Sequence, residues 1–171
     1  MESGGYMVAL KIISIIVLIF LFLKGTNFLS YTLIKKSVVK SRIWDLNICC
    51  GFTDGGGINA DIQKYGEMPN FLLTKDIYKL PFSDNQFTHV LTSHTVEHIE
   101  DPRAFIDELH RVGENVTILV PPLWDLSAAF NFLEHKWLFL TFRTKVDRLP
   151  RYIRLPLANW YQKKYGQRIK A

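Results

Sequence analysis

Between residues 47 and 77 three features together have the makings of a nucleoside pocket. The stretch "NICCGFTDGGG" ends an apolar run in a glycine-rich turn, where backbone N–H groups can come close to a ligand. Asp61, which closes "INADI", offers a carboxylate that can accept from both hydroxyls of a ribose, and Asp76, in "FLLTKDI", one that can accept from an exocyclic amine. Singly these parts are commonplace, since an Asp at a strand end is usually a turn or cap residue. The meaning lies in their order along the chain.

The elements needed to position them can be read from apolar runs. "IWDLNIC" (Ile43 to Cys49), "INADI" (Ile58 to Ile62), "FLLTKDI" (Phe71 to Ile77), "FTHVLTSH" (Phe87 to His94) and "NVTILV" (Asn115 to Val120) are short and apolar, as strands buried on both faces are. "DPRAFIDELHRV" predicts a helix, with Asp101 at the N-cap, Pro102 at the first position, Phe105, Leu109 and Val112 along one face, and Gly113 at its stop. The expected fold is α/β, a compact Rossmann-like, doubly wound and mostly parallel sheet. Ligands of such sheets bind at the carboxyl ends of the strands, here Cys49 to Gly51, Asp61, Asp76 and Ser93 to His94. No helix is evident between the first two strands, and no antiparallel pair after Val120.

The pieces "LNICCG", "INADI", "DIYKLPFSDNQF", "SHTVEHIEDP" and "ELHRV", in this order over roughly residues 44 to 122, resemble the class I S-adenosylmethionine-dependent methyltransferases in their compact form. The resemblance implies S-adenosylmethionine as cofactor. Asp61 would hold the ribose, Asp76 and Ile77 would surround the adenine, and Asn47, Cys49 and Gly51 would follow the methionine part. Ser93 would lie beside the reactive methyl, with His94, Glu97 and His98 as candidate bases. His135, in "FLEHKW", is a further candidate base with no spacing rule to tie it to the others. The family pattern has glycine where this chain has Cys49, and a side chain there crowds the cofactor unless the local φ is below zero. Thr88 replaces the acid that commonly follows the phenylalanine of the fourth-strand motif, and His89 places a titratable group inside that strand.

"MVALKIISIIVLIFLFL" (Met7 to Leu23) is apolar apart from Lys11 and Ser14. About 17 residues at ~1.5 Å each give roughly 25 Å, close to a bilayer's hydrocarbon depth, and Lys11 near one end can snorkel. A cleaved signal peptide would need a basic start and a small-residue cleavage site, which are missing here. The expected organisation is a transmembrane anchor over 6–24, a juxtamembrane helix over 25–42, a methyltransferase-like core over 43–122 and an aromatic, basic extension over 123–171.

Lys24, Lys35, Lys36, Lys40 and Arg42 flank the apolar stretch on its C-terminal side and put the body in the cytoplasm as a single-pass membrane protein. Adjacent Cys49 and Cys50 suit neither a structural disulfide nor a metal site, and no metal is expected. The net charge of +5 is concentrated in residues 143–171, interleaved with Tyr152, Trp160, Tyr161 and Tyr165. Such a surface suits lipid headgroups or a phosphate-bearing substrate; beside an anchor, nucleic acid is the weaker match.

The function these features imply is methyl transfer to a small-molecule or lipid-linked acceptor at the membrane. The alternative is a methyltransferase-like binding module without catalysis. A nicotinamide oxidoreductase fits badly, because its three spaced glycines must lead into a helix facing a pyrophosphate.

Overall fold

A computed structural model describes residues 3–167, with side chains from Tyr6 onward. Arg168 and Lys170 of the basic extension lie outside the described residues. Helix α1 (Ser3–Asn27) continues without a break through a π-helical stretch (Phe28–Ile34) into α2 (Lys35–Lys40). The junctions at Asn27, Ile34 and Lys35 keep right-handed helical angles, so Gly25 introduces no hinge. From Tyr6 to Phe22 every side chain is exposed, leaving a rod of apolar surface that nothing among the described residues covers.

The body follows from the apolar runs. Strands β1 (Trp44–Ile48), β2 (Gly56–Asp61), β3 (Phe71–Leu73), β4 (Phe87–Ser93) and β5 (Gly113–Leu119) form a parallel sheet in the order β3-β2-β1-β4-β5. Helix α3 (Pro102–Val112) makes the β4 to β5 crossover. Asp101 caps it by accepting from Arg103 N and Ala104 N, both at 3.0 Å, and Phe105, Leu109 and Val112 are fully buried against Leu46, Ile48, Val90 and Ile118. Gly113 ends the helix by starting β5 directly in an extended conformation. Its reason is space, since an added Cβ would stand 2.3 Å from Val90 Cγ2.

Leu91 and Leu119 point to the other face, as the two-residue period of a strand requires. There Trp44, Leu91 and Leu119 pack against Val38 and Val39 of α2, and Trp44 Nε1 donates to Val39 O at 3.0 Å. The leading helix thus covers the face that a helix between β1 and β2 would otherwise cover.

After β5 the chain departs from its sequence reading. Helix α4 (Leu126–Ala129) is followed by β6 (Trp137–Phe139), β7 (Lys145–Val146) and β8 (Tyr152–Arg154), and helix α5 (Ala158–Tyr165) closes the described fold. β7 adds an antiparallel edge beside β5, and β6 pairs antiparallel with β8. These strands went unpredicted because each is two or three residues long, too short for a period-2 pattern to show.

Candidate functional site

β1 and β4 are neighbours whose chains leave in opposite directions across the sheet, so their carboxyl ends open a crevice at the topological switch point. A cavity of about 290 Å³ lies there, lined by Cys49, Gly51, Asp61, Ser93, His94 and Tyr31 among others. A larger recess of about 610 Å³ borders Arg103, Asp107 and His110 on the outer side of α3 and Tyr152 at the start of β8, away from the carboxyl ends of the parallel strands.

The glycine turn is braced from behind. Asn47 is buried and donates through Nδ2 to Thr53 O at 2.7 Å and Asn59 Oδ1 at 3.1 Å, while Asn59 Oδ1 also accepts from Gly55 N at 2.9 Å. Asp61 links the turn to β2, with Oδ2 accepting from Gly51 N at 2.9 Å and Oδ1 from Ile62 N at 2.7 Å. Oδ1 also accepts from Gln63 N at 3.4 Å, so Oδ2 is the oxygen that retains a second lone pair, and the residue borders the cavity. Gly51 has φ +54° and open space where a Cβ would point.

Cys49 has φ +54° as well, so the negative φ that would accommodate a side chain there is not adopted. A left-handed conformation in a residue with a Cβ costs roughly 1–2 kcal/mol. Burial, then the nearby Asp61 carboxylate, push the Cys49 thiol well above its ordinary range, and the same causes push Cys50 up to about 11. Neither is a thiolate nucleophile at neutral pH.

Of the residues named from sequence, Cys49, Gly51, Asp61, Ser93, His94 and His98 meet at this cavity. Asn47, Asp76 and Ile77 do not line it. Asn47 is spent on the turn; Asp76 is exposed and its Oδ1 accepts from Tyr78 N at 2.8 Å; Ile77 is packed in the core. Of the two strand-end acids expected around a nucleoside, Asp61 lines this cavity and Asp76 does not. Sequence reasoning missed Tyr31 and Lys35, which reach the cavity from the leading helix. Their four-residue spacing puts them on one helix face, with Lys35 Nζ 4.7 Å from the centre of the Tyr31 ring.

A second cavity, of about 370 Å³, shares Tyr31, His94 and His98 with the first and adds Asn27, Glu97, Asn131 and His135. Glu97 is fully buried, and its Oε1 lies 3.2 Å from His94 Nδ1. Burial opposes ionisation of Glu97, but the hydrogen bond from His94 and the surrounding imidazoles outweigh it and hold the carboxyl down at about 2. Burial pushes the His135 imidazole down to about 4. His135 is then uncharged at neutral pH, so ionised Glu97 draws chiefly on His94. His98 Nδ1 lies 3.0 Å from the Glu134 carbonyl, and its ring meets that of His135 edge to face with centroids 4.8 Å apart. Among the buried side-chain atoms without a partner are Ser93 Oγ, His94 Nε2, Glu97 Oε2 and His135 Nδ1, all in this one region.

Residues 41–120 match the model of a family described as a methyltransferase domain. None of the curated proteins matches the chain. Among solved structures, a complex between the Haloferax volcanii Trm112 methyltransferase activator and a putative methyltransferase is similar at 17% identity and a TM-score of 0.41, over 57% of this chain and 55% of that one. A SAM-dependent methyltransferase from Aquifex aeolicus is similar at 16% identity and a TM-score of 0.41, over 56% of this chain and 68% of that one. The chain thus spans just over half the length of the first of these.

Proposed function

Residues 41–120 belong to the class I S-adenosylmethionine-dependent methyltransferases, and from that premise we propose a methyltransferase held at a membrane that acts on a small-molecule or lipid-linked acceptor. The observation that carries this reading is the single cavity joining the Cys49–Thr53 turn and Asp61 to Ser93 and His94. The residues present fit the cofactor. Gly51 leaves space beside its backbone, Asp61 Oδ2 keeps a lone pair for a ribose hydroxyl, and Ser93 Oγ is buried without a partner.

Bound there, S-adenosylmethionine supplies an electrophilic methyl group. The acceptor's oxygen or nitrogen must give up a proton as it attacks, and His94 is built to take it. A carboxylate accepts and does not donate, so the bond to Glu97 Oε1 leaves the hydrogen on His94 Nδ1 and the lone pair on buried, unpartnered Nε2. Glu97 acts through His94 by fixing its tautomer and orientation. His98 borders both cavities and helps shape the acceptor's place.

The exposed apolar length of α1 supports an anchor, and Lys24, Lys35, Lys36, Lys40 and Arg42 support a cytoplasmic body. Trp160 and Tyr165 of α5 are exposed, with Lys164 Nζ 5.5 and 5.3 Å from their ring centres, a combination suited to lipid headgroups.

A second reading, a binding module without catalysis, is favoured by one observation: the left-handed Cys49 sets a side chain at the cavity wall where the family pattern has glycine. Calorimetry with S-adenosylhomocysteine on the full chain in detergent tests both. Asp61→Asn is expected to weaken binding by about 1.5–3 kcal/mol, the worth of a charge-assisted contact, and an unchanged affinity puts the pocket elsewhere. Transfer of a labelled methyl to membrane extract then separates enzyme from module.

A further inference from the structure

Glu97, His98 and His135 are all buried, and each offers a ligand atom within 4.8 Å of the others. Two stand on the loop after β4. The third is far along the chain, on the segment between α4 and β6, and is brought in by Lys136 N, which donates to Glu97 O at 2.7 Å, and by the Glu134 carbonyl, 3.0 Å from His98 Nδ1. Two different loops are thus tied together at the point where the three side chains converge.

Their free atoms are of one kind. Glu97 Oε1 is taken by His94, which leaves Oε2 buried and without a partner. The Glu134 carbonyl can only accept, so His98 carries its hydrogen on Nδ1 and its lone pair on Nε2. An imidazole that binds a metal through one nitrogen commonly donates from the other to a carbonyl in this way. His135 Nδ1 is buried and unpartnered too. A water molecule donates only two hydrogens and could satisfy two such acceptors, whereas a cation satisfies all three.

We propose that Glu97, His98 and His135 bind one divalent transition-metal ion. Two imidazoles and a carboxylate suit zinc, iron, cobalt or manganese, and they do not suit calcium or magnesium, which ask for shells of oxygen. Three protein ligands leave a coordination position for an exogenous donor, and the cavity they line with His94, Tyr31 and Asn27 has room for one. His94 lies outside the ligand set and holds Glu97 in place through Oε1. That the exogenous donor is the acceptor's own oxygen or nitrogen rests on the methyl-transfer reading above; ion binding does not.

The test is titration of cobalt(II) into the full, untagged and metal-stripped chain in detergent, without S-adenosylmethionine, followed by its visible d–d absorption. One equivalent is expected to bind and to be displaced by zinc(II). His135→Gln and Glu97→Gln should each weaken cobalt binding more than about 100-fold, beyond the loss typical of replacing an outer partner of a metal site. His110→Ala, on the exposed side of α3, should leave it unchanged. Zinc should raise the thermal midpoint of the natural chain and not that of His135→Gln, with circular dichroism confirming that both are folded. His135→Asn takes its place if that variant does not fold. Absence of stoichiometric binding, binding that survives both substitutions, or equal loss in His110→Ala overturns the proposal and leaves an ordered water as the occupant. Cobalt binding without S-adenosylhomocysteine binding would instead sink the methyltransferase reading alone.

Discussion

Two buried glutamates at opposite ends of the β4 to β5 crossover are treated in opposite ways. Glu108, on α3, has both oxygens engaged. Its Oε1 accepts from Leu80 N at 2.6 Å and Arg111 Nη2 at 2.7 Å, and its Oε2 accepts from Arg111 Nε at 2.8 Å. Arg111 goes on to Phe82 O at 2.9 Å and Asp84 Oδ1 at 2.7 Å, clamping the "LPFSD" turn onto the helix. Glu97, on the loop before α3, has one histidine on Oε1 and nothing on Oε2. A closed network holds a fold together, and a carboxylate kept half open in the interior is held ready for something that is not part of the chain.

Breaking the closed side should give the largest effect on stability. Glu108→Ala strips the Leu80 N–H and the Arg111 guanidinium of their acceptor. It should lower unfolding stability by about 2 kcal/mol in urea denaturation, a figure kept modest because a third of the Arg111 side chain is exposed and water screens it. A loss under about 0.5 kcal/mol would show that the clamp contributes little.

Cys49→Gly addresses strain on the open side. Release of the left-handed Cβ should offset the flexibility that glycine adds to the unfolded chain, for a net gain of up to about 1 kcal/mol. The same variant should bind S-adenosylhomocysteine more tightly, because the cavity wall recedes. Weaker binding would mean that the Cys49 side chain is itself a contact.

Acid should erase the Glu108 contribution. The hydrogen bond from Arg111, then that from Leu80 N, outweigh burial and hold its carboxyl below the ordinary glutamate value near ~4.3. Its stabilisation is fully present above that value and is lost as pH falls through the lower folded one. The stability gap between the natural chain and Glu108→Gln should therefore be constant near neutrality and close only below about pH 4. A gap that closes as pH rises would reverse the assignment.

Glu97→Gln should do least to the fold. In the presence of a chelator the amide keeps an acceptor for His94 but forfeits the attraction of the imidazoles that holds the Glu97 carboxyl down, so stability should fall, though by less than in Glu108→Ala. A cost equal to that of Glu108→Ala would make Glu97 a brace like its counterpart.

The same contrast marks what could be read from residues alone. β1, β2, β4, β5 and α3 were legible because apolar runs, the Asp101 cap and Pro102 act locally. The Glu108 clamp was present as the motif pieces "LPF" and "ELHRV", though its bonding was not. His135 could be named but not placed, since its neighbours Glu97 and His98 are distant in the chain and only the fold of the α4 to β6 segment joins them. Asp76 could not be settled from residues alone, because an acid near a strand end looks alike whether it faces a ligand or accepts from its own turn, as this one does from Tyr78 N.

The unbroken run from α1 to α2 has a mechanical consequence. Tyr31 stands about eight residues past Leu23, roughly 12 Å along the axis, so a bilayer gripping the apolar end would fix the height of the cavity mouth like a plumb line. A substrate embedded in the same leaflet would have to present its reactive atom at headgroup level, and any tilt of the rod would move Tyr31 and Lys35 against the opposite wall.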